Sequence, residues 1–211
     1  KELNYLIKGH SFYSEKKFFL YTKQMQHFFE VLPNINKLIN FDKAKKTINN
    51  HEIKPIFIVG VPRCGSTLTE KIIASSSKYI PIGEETNILD KFAKKQIQEN
   101  QSLNYSLENF QAKLIDAYKN KGLIQKESEY TFTDKSLENF YYIGLIKNIF
   151  PNAKVINCKR DTLASIMSIF QNNLTTISWA HNLEYIFKYF DIYHRIIENF
   201  KKIFPNFIYE L

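Results

Sequence analysis

Hydrophobic spacing divides the chain into two textures. Over residues 1–50 the apolar positions recur at helical intervals. Residues 16–32 (KKFFLYTKQMQHFFEVL) place Phe19, Met25, Phe28, Phe29 and Leu32 roughly on one face, with Lys and Gln opposite. The polar stretch 42–54 then reads as a linker. At Pro55 the period changes. Ile56-Phe57-Ile58-Val59 is an unbroken apolar run of the kind found in strands buried on both faces. A glycine-containing turn follows, then an amphipathic helix with Leu68, Ile72 and Ile73 on its inner side and Thr67-x-x-Glu70 as a capping box. Strand, glycine turn and helix form the opening unit of a parallel α/β sheet. Further strands are predicted at 79–82, 130–133, 153–158 and 207–211, and helices at 106–119, 137–149, 163–172 and 183–200. The expected architecture is α/β: a three-layer, P-loop-like parallel sheet flanked by helices from residue 53 to 211, preceded by a short helical extension over 1–50.

Composition narrows the function classes. With 211 residues, 44% of them hydrophobic, the chain can bury a full core, and it contains no apolar run long enough to span a bilayer. It begins at Lys1 with no basic–apolar–small leader, so a cytoplasmic location is expected, and the missing Met signals an absent N-terminal piece. The net charge of +8 is concentrated in residues 1–50, where nine lysines meet four acids, so a nucleic-acid surface on the main body is not expected. Cys64 and Cys158 lack metal-ligand spacing, which excludes a zinc ribbon and fits a reduced compartment. Of 29 basic residues only Arg63, Arg160 and Arg195 are arginine. Where lysine serves everywhere else, an arginine marks a position that needs the planar fork.

Two of those arginines fall at strand ends. Gly60-Val61-Pro62-Arg63-Cys64-Gly65-Ser66-Thr67 leaves a buried strand and opens a helix, so its amides and the helix dipole can cradle a phosphate. The Gly60-x4-Gly65 spacing is that of a nucleotide P-loop, but Ser66 stands where a nucleoside triphosphatase carries its phosphate-binding lysine. The cation sits inside the loop instead, at Arg63. Arg160 follows the strand at 153–158 in the same way, at the edge where open α/β sheets bind ligands. Two such arginines suggest a ligand with two separated anionic groups; the plainer reading of Arg160 is an ion pair with Asp161.

These residues resemble a family. Residues 55–67 (PIFIVGVPRCGST) are similar to the 5′-phosphosulfate loop of sulfotransferases that use 3′-phosphoadenosine 5′-phosphosulfate (PAPS). Arg160 with Ser168 eight residues later is similar to their 3′-phosphate motif. Gly83-Glu84-Glu85-Thr86 and the pair Asp134-Lys135 resemble the protein-tyrosine sulfotransferase branch and bacterial relatives fused to tetratricopeptide repeats. Residues 1–50 would then be the end of such a repeat array and a surface for a protein partner. Cys64 departs from the serine usual in the family. The chain ends at 207–211, where relatives continue into a segment that closes over the nucleotide, so the resemblance implies a catalytic domain truncated at its C-terminus.

The resemblance implies PAPS as donor, no metal, and assigned roles. Arg63, Cys64, Gly65, Ser66, Thr67 and Leu68 would bind the 5′ end of the donor, and Arg160 and Ser168 the 3′-phosphate. Lys135 would stabilise the sulfuryl oxygens, and Glu85 would act as base toward an acceptor hydroxyl. From spacing alone, Glu84 and Glu85 equally suit the start of a helix near Thr86. The acceptor stays open between peptide tyrosine, a carbohydrate and a small alcohol, with the helical stretch 87–128 as the expected substrate-facing insertion. His181 reads as a packing residue. Cys64 beside Arg63 and a helix start could be an activated thiol, but no resolving cysteine is near it in sequence. The rival readings are a P-loop kinase or NTPase, and a helical-repeat interaction protein with a vestigial nucleotide fold.

Overall fold

The computed structural model describes residues 2–35, 53–76, 79–98, 107–124 and 131–211. Its centre is a four-stranded parallel sheet in the order β2-β1-β3-β4, formed by β1 (Ile56–Gly60), β2 (Thr133–Asp134), β3 (Lys154–Cys158) and β4 (Ile208–Glu210). Consecutive side chains of a strand point to opposite faces. Phe57, Ile58 and Val59 are all 0% exposed, so both faces of the sheet are covered and it is the middle of three layers. Parallel neighbours need crossovers. These carry α3 (Ser66–Ala74), α4 (Ile88–Gln98), α5 (Leu107–Asn120), α6 (Ile143–Ile149), α7 (Thr162–Gln171) and α8 (Leu183–Ile203).

Three expectations need correction. Residues 79–82 form no strand: Thr133 N–H donates to Pro81 O (3.0 Å), but Pro81 has no N–H to return, and the ladder stops there. The predicted strand at 130–133 shifts to Thr133–Asp134, its start lying outside the described residues. The predicted helix at 137–149 divides into a 3₁₀ stretch, Leu137–Tyr142, and α6. The start of the helix predicted at 106–119 and most of the 42–54 linker also lie outside the described residues.

Before the sheet come α1 (Glu2–Lys16) and α2 (Phe18–Gln26), then a wide turn over His27–Val31 and a 3₁₀ turn over Leu32–Asn34. The buried stripe is Tyr21, Met25, Phe28 and Leu32, at the i, i+4, i+7, i+11 spacing of one helical face. Phe19 is exposed rather than inward. Two residues are about 200° of helical rotation, which sends it to the side opposite Tyr21. Leu32 and Ile35 join the same core as the sheet.

A polar cluster pins these helices to the rest of the chain. His10 Nδ1 lies 2.9 Å from His181 Nδ1, His10 Nε2 donates to Phe170 O (2.7 Å), and Tyr21 Oη lies 3.1 Å from His181 Nε2. Burial first, then the His10 and Lys17 charges, hold the His181 ring down at about 4. A histidine is ordinarily near 6.5. The fold therefore keeps the neutral ring: its contribution is complete above pH ~6.5 and is lost as pH falls toward 4. Thermal unfolding followed from pH 7 to pH 4 is expected to show up to about 3 kcal/mol of destabilisation that His181→Gln abolishes. An equal loss in the variant would place the sensitivity elsewhere.

Candidate functional site

The loop between β1 and α3 is shaped by what glycine permits. A Cβ on Gly60 would stand 2.8 Å from Cys64 Sγ and 2.9 Å from Cys158 O, so any other residue would force the loop off the strand end. Cys64 N–H donates to Val61 O (3.2 Å), closing the turn, and Gly65 caps α3 with φ 101°. Arg63 holds φ 69°, the left-handed region that a residue with a side chain seldom adopts without a functional reason. The first amides of α3 have no intrahelical acceptors and face outward with the positive end of the dipole.

That loop borders a cavity of about 580 Å³, lined by Arg63, Cys64, Gly65, Ser66, Thr67, Leu68, Lys71 and Arg160. Arg160 comes from the end of β3 and donates to Arg63 O (3.2 Å), while Arg63 Nε donates to Ser168 Oγ (3.2 Å) on α7. Arg63 thus meets Arg160 and Ser168, 97 and 105 positions away, at one site. Asp161 is not the partner of Arg160. Its carboxylate caps α7, accepting from Ala164 N–H (2.7 Å). No ion pair among the described residues involves Arg63 or Arg160, so both guanidinium groups remain available to an anion. Lys71, one turn beyond Thr67, adds a cation that the loop motif alone does not indicate.

The Gly83–Thr86 turn and Lys135 make a second cluster at the same sheet edge. Thr133 and Asp134 pair with Ile56 and Phe57, so Lys135 leaves β2 level with Ile58. That is two residues, or about 7 Å, before Gly60. Lys135 Nζ lies 3.3 Å from Glu85 Oε1. The lysine is buried, whereas the Glu85 side chain is 64% exposed. The turn is bounded by Glu84 and Asn87, both at φ 53°. Gly83 is packed so closely that a Cβ would fall 1.9 Å from Thr133 O. α4 begins at Ile88 rather than near Thr86.

Two anchors of this turn escape a sequence reading. Glu70 is buried instead of closing a capping box, and its Oε1 accepts from Thr133 Oγ1 (2.6 Å) and Glu84 N–H (3.1 Å). It links the phosphate-loop helix to the Glu85 turn. For the same reason α3 turns Ser66, Thr69 and Glu70 inward and leaves Leu68 and Ile72 exposed, so that of the expected inner face Ile73 alone packs against the core. Asp134 is 0% exposed and accepts from Thr86 Oγ1, Tyr118 Oη, Ser136 N–H and Ser136 Oγ at 2.7–2.9 Å. Burial, then the Asp134 charge, drive the Tyr118 phenol far up, so it stays a donor. Nearby, burial raises the Glu138 carboxyl, and the Asp90 and Glu85 charges add to the effect.

Among the described residues, no group of three or more His, Cys, Asp or Glu side chains is placed to hold a metal ion, and no helix is long and apolar enough to cross a membrane. His181 faces the N-terminal helices and is committed to His10 and Tyr21.

Comparison with known proteins gives the same direction. A protein of Aquifex aeolicus (strain VF5), described as an uncharacterized protein, is 34% identical across 75% of this chain. The match takes in 23% of the Aquifex protein, so the chain spans about a quarter of that relative's length. A model described as the Sulfotransferase family matches residues 55–211, from the residue before β1 to the residue after β4. The chain therefore belongs to the sulfotransferase family.

Proposed function

We propose that residues 53–211 form a catalytic domain that transfers a sulfuryl group from PAPS to an acceptor hydroxyl, with peptide tyrosine as the leading acceptor. Family membership supports sulfuryl transfer in general. The observation that carries the donor assignment is the convergence of Arg63 and Arg160, both without carboxylate partners, on one cavity at a helix start. Two guanidinium groups there suit a nucleotide with phosphates at both ends of its ribose better than a triphosphate. Ser66 in place of the phosphate lysine disfavours a kinase or NTPase. The donor, when bound, supplies SO3 on a phosphate leaving group. Arg63, Ser66, Thr67 and the Gly65 amide hold the 5′-phosphate and take up the charge that grows on it. Arg160 and Ser168 bind the 3′-phosphate. Lys135 stabilises the sulfuryl oxygens, and Glu85 takes the acceptor proton.

The remaining assignments follow from the same reading. We place the protein in the cytoplasm, where two free thiols persist. Residues 1–50 would be the last unit of a tetratricopeptide-type array, with exposed Phe12, Phe18 and Phe19 available to a protein partner. The decisive measurement is calorimetric titration with adenosine 3′,5′-bisphosphate, 5′-AMP and ATP. The bisphosphate is expected to bind most tightly. Arg160→Ala should weaken it by roughly ten- to a hundredfold, the worth of a charge-assisted hydrogen bond, while leaving 5′-AMP nearly unchanged. Preference for ATP, or indifference to the 3′-phosphate, would sink the assignment; no nucleotide binding would favour a vestigial fold.

A further inference from the structure

The two cysteines, 94 positions apart, meet at the root of the phosphate loop. Gly60 and Cys158 are register partners on β1 and β3. The loop then curls back until Cys64 Sγ lies over Gly60, occupying the space that a Cβ there would take. Cys158 Sγ donates to Thr69 Oγ1 (3.4 Å), and a Cβ on Gly60 would also meet Cys158 Cβ at 3.6 Å, so the two cysteines flank the same point. Both thiols are free. Cys64 is 7% exposed and borders the nucleotide cavity, while Cys158 is 2% exposed behind it. Both thiols are buried, but only Cys64 borders a cavity through which a small oxidant can arrive, the order expected of an attacking and a resolving cysteine.

We propose that Cys64 and Cys158 form a reversible disulfide that closes the phosphate loop to its nucleotide. The loss of nucleotide binding rests on the functional reading above; the disulfide itself does not. The oxidant is a peroxide. The Cys64 thiolate attacks one oxygen of hydrogen peroxide, the O–O bond breaks, and hydroxide leaves to be protonated as water, giving a sulfenic acid. Cys158 then loses its proton and attacks the Cys64 sulfur. The S–O bond breaks, a second water departs, and an S–S bond joins β3 to the loop. Two thiols lose two electrons and one peroxide becomes two waters. The pair is suited to this order. The Cys158 thiol, chief among the causes, together with Ser66, outweighs burial and holds Cys64 below the ordinary thiol range, which favours the thiolate. Cys158 is pushed up by its bond to Cys64 and by burial, which holds it protonated until Cys64 is oxidised. Drawing Cys64 to the strand end pulls Gly65 and Ser66 with it, away from the cavity.

The test uses the full chain, reduced or treated with hydrogen peroxide and then alkylated. Intact mass is expected to show two hydrogens lost, neither cysteine alkylated, and full reversal by dithiothreitol. Oxidation should weaken adenosine 3′,5′-bisphosphate at least about tenfold, the worth of one lost charge-assisted hydrogen bond. Saturating bisphosphate should slow the oxidation, because binding and oxidation compete for one loop. Cys158→Ser should bind the nucleotide like the parent, keep its affinity after peroxide treatment, and trap a sulfenic acid at Cys64 that dimedone labels. Cys158→Ala serves if the serine variant misfolds. Two alkylated cysteines after peroxide, a disulfide between two chains, or unchanged affinity in the oxidised protein would each overturn the proposal. If the reduced chain binds no bisphosphate, the donor assignment fails, and the mass measurement still decides whether the disulfide forms.

Discussion

Glu85→Gln is expected to lower sulfuryl transfer by about 10²–10⁴-fold, the usual worth of a positioned general base. Affinity for adenosine 3′,5′-bisphosphate should be unchanged. Glutamine keeps the shape of the side chain and its contact with Lys135 but cannot accept the acceptor's proton. A carboxylate is a weak base toward a phenol, so most of its effect must come from placement. The structure accounts for that placement. Glu84 and Asn87 hold left-handed backbone on either side, Glu84 N–H is fixed by Glu70, and Lys135 N–H donates to Glu84 O (2.8 Å). The ion pair with Lys135 is too exposed on its carboxylate side to contribute much stability. On the proposed reading its value is to hold Glu85 beside Lys135. Steady-state turnover with PAPS and a tyrosine peptide, alongside calorimetry, separates the two effects. Turnover that survives with unchanged affinity would move the base to Glu84, since His181 is bound to His10 and Tyr21.

The features legible in the sequence are the local ones. A strand run, a glycine turn and a helix start lie within twelve residues, and their order alone places Arg63 in the loop between β1 and α3. Arg160 was identifiable by its rarity and by the strand before it. The features that escaped depend on contacts between distant segments. Thr67-x-x-Glu70 has the spacing of a cap, yet Glu70 serves Thr133 and Glu84, more than a dozen positions away. Cys64 stands alone in the sequence, yet Gly60, over which its sulfur lies, is the register partner of Cys158 on the neighbouring strand. The inner face of α3 was misjudged because the site required Ser66, Thr69 and Glu70 inside, against hydrophobic order. Pro81 should have demoted residues 79–82, since a proline cannot complete a ladder.

Asp134→Ala is expected to destabilise the chain by about 3–5 kcal/mol, the largest stability effect of any single site change considered. Each carboxylate oxygen accepts two hydrogen bonds: one from the backbone and hydroxyl of Ser136, the other from Thr86 and Tyr118. Removing it leaves three hydroxyls and one amide in the core without their common acceptor. Thr86 Oγ1 also accepts from Ile88 N–H (3.2 Å), and Ser136 Oγ accepts from Asn87 N–H (2.8 Å), so the loss reaches the C-terminal end of the Glu85 turn. For a chain of this size the cost corresponds to a fall in Tm of about 6–20 °C. Asp134→Asn should cost less, because an amide still accepts at one oxygen while its NH2 group opposes donors at the other. Lys135→Met, next to it, should abolish turnover with little change in Tm. Thermal unfolding of the three variants separates a residue that builds the site from one that acts in it. If Asp134→Ala costs under about 1 kcal/mol, the turn is held by Glu70 and its own backbone instead.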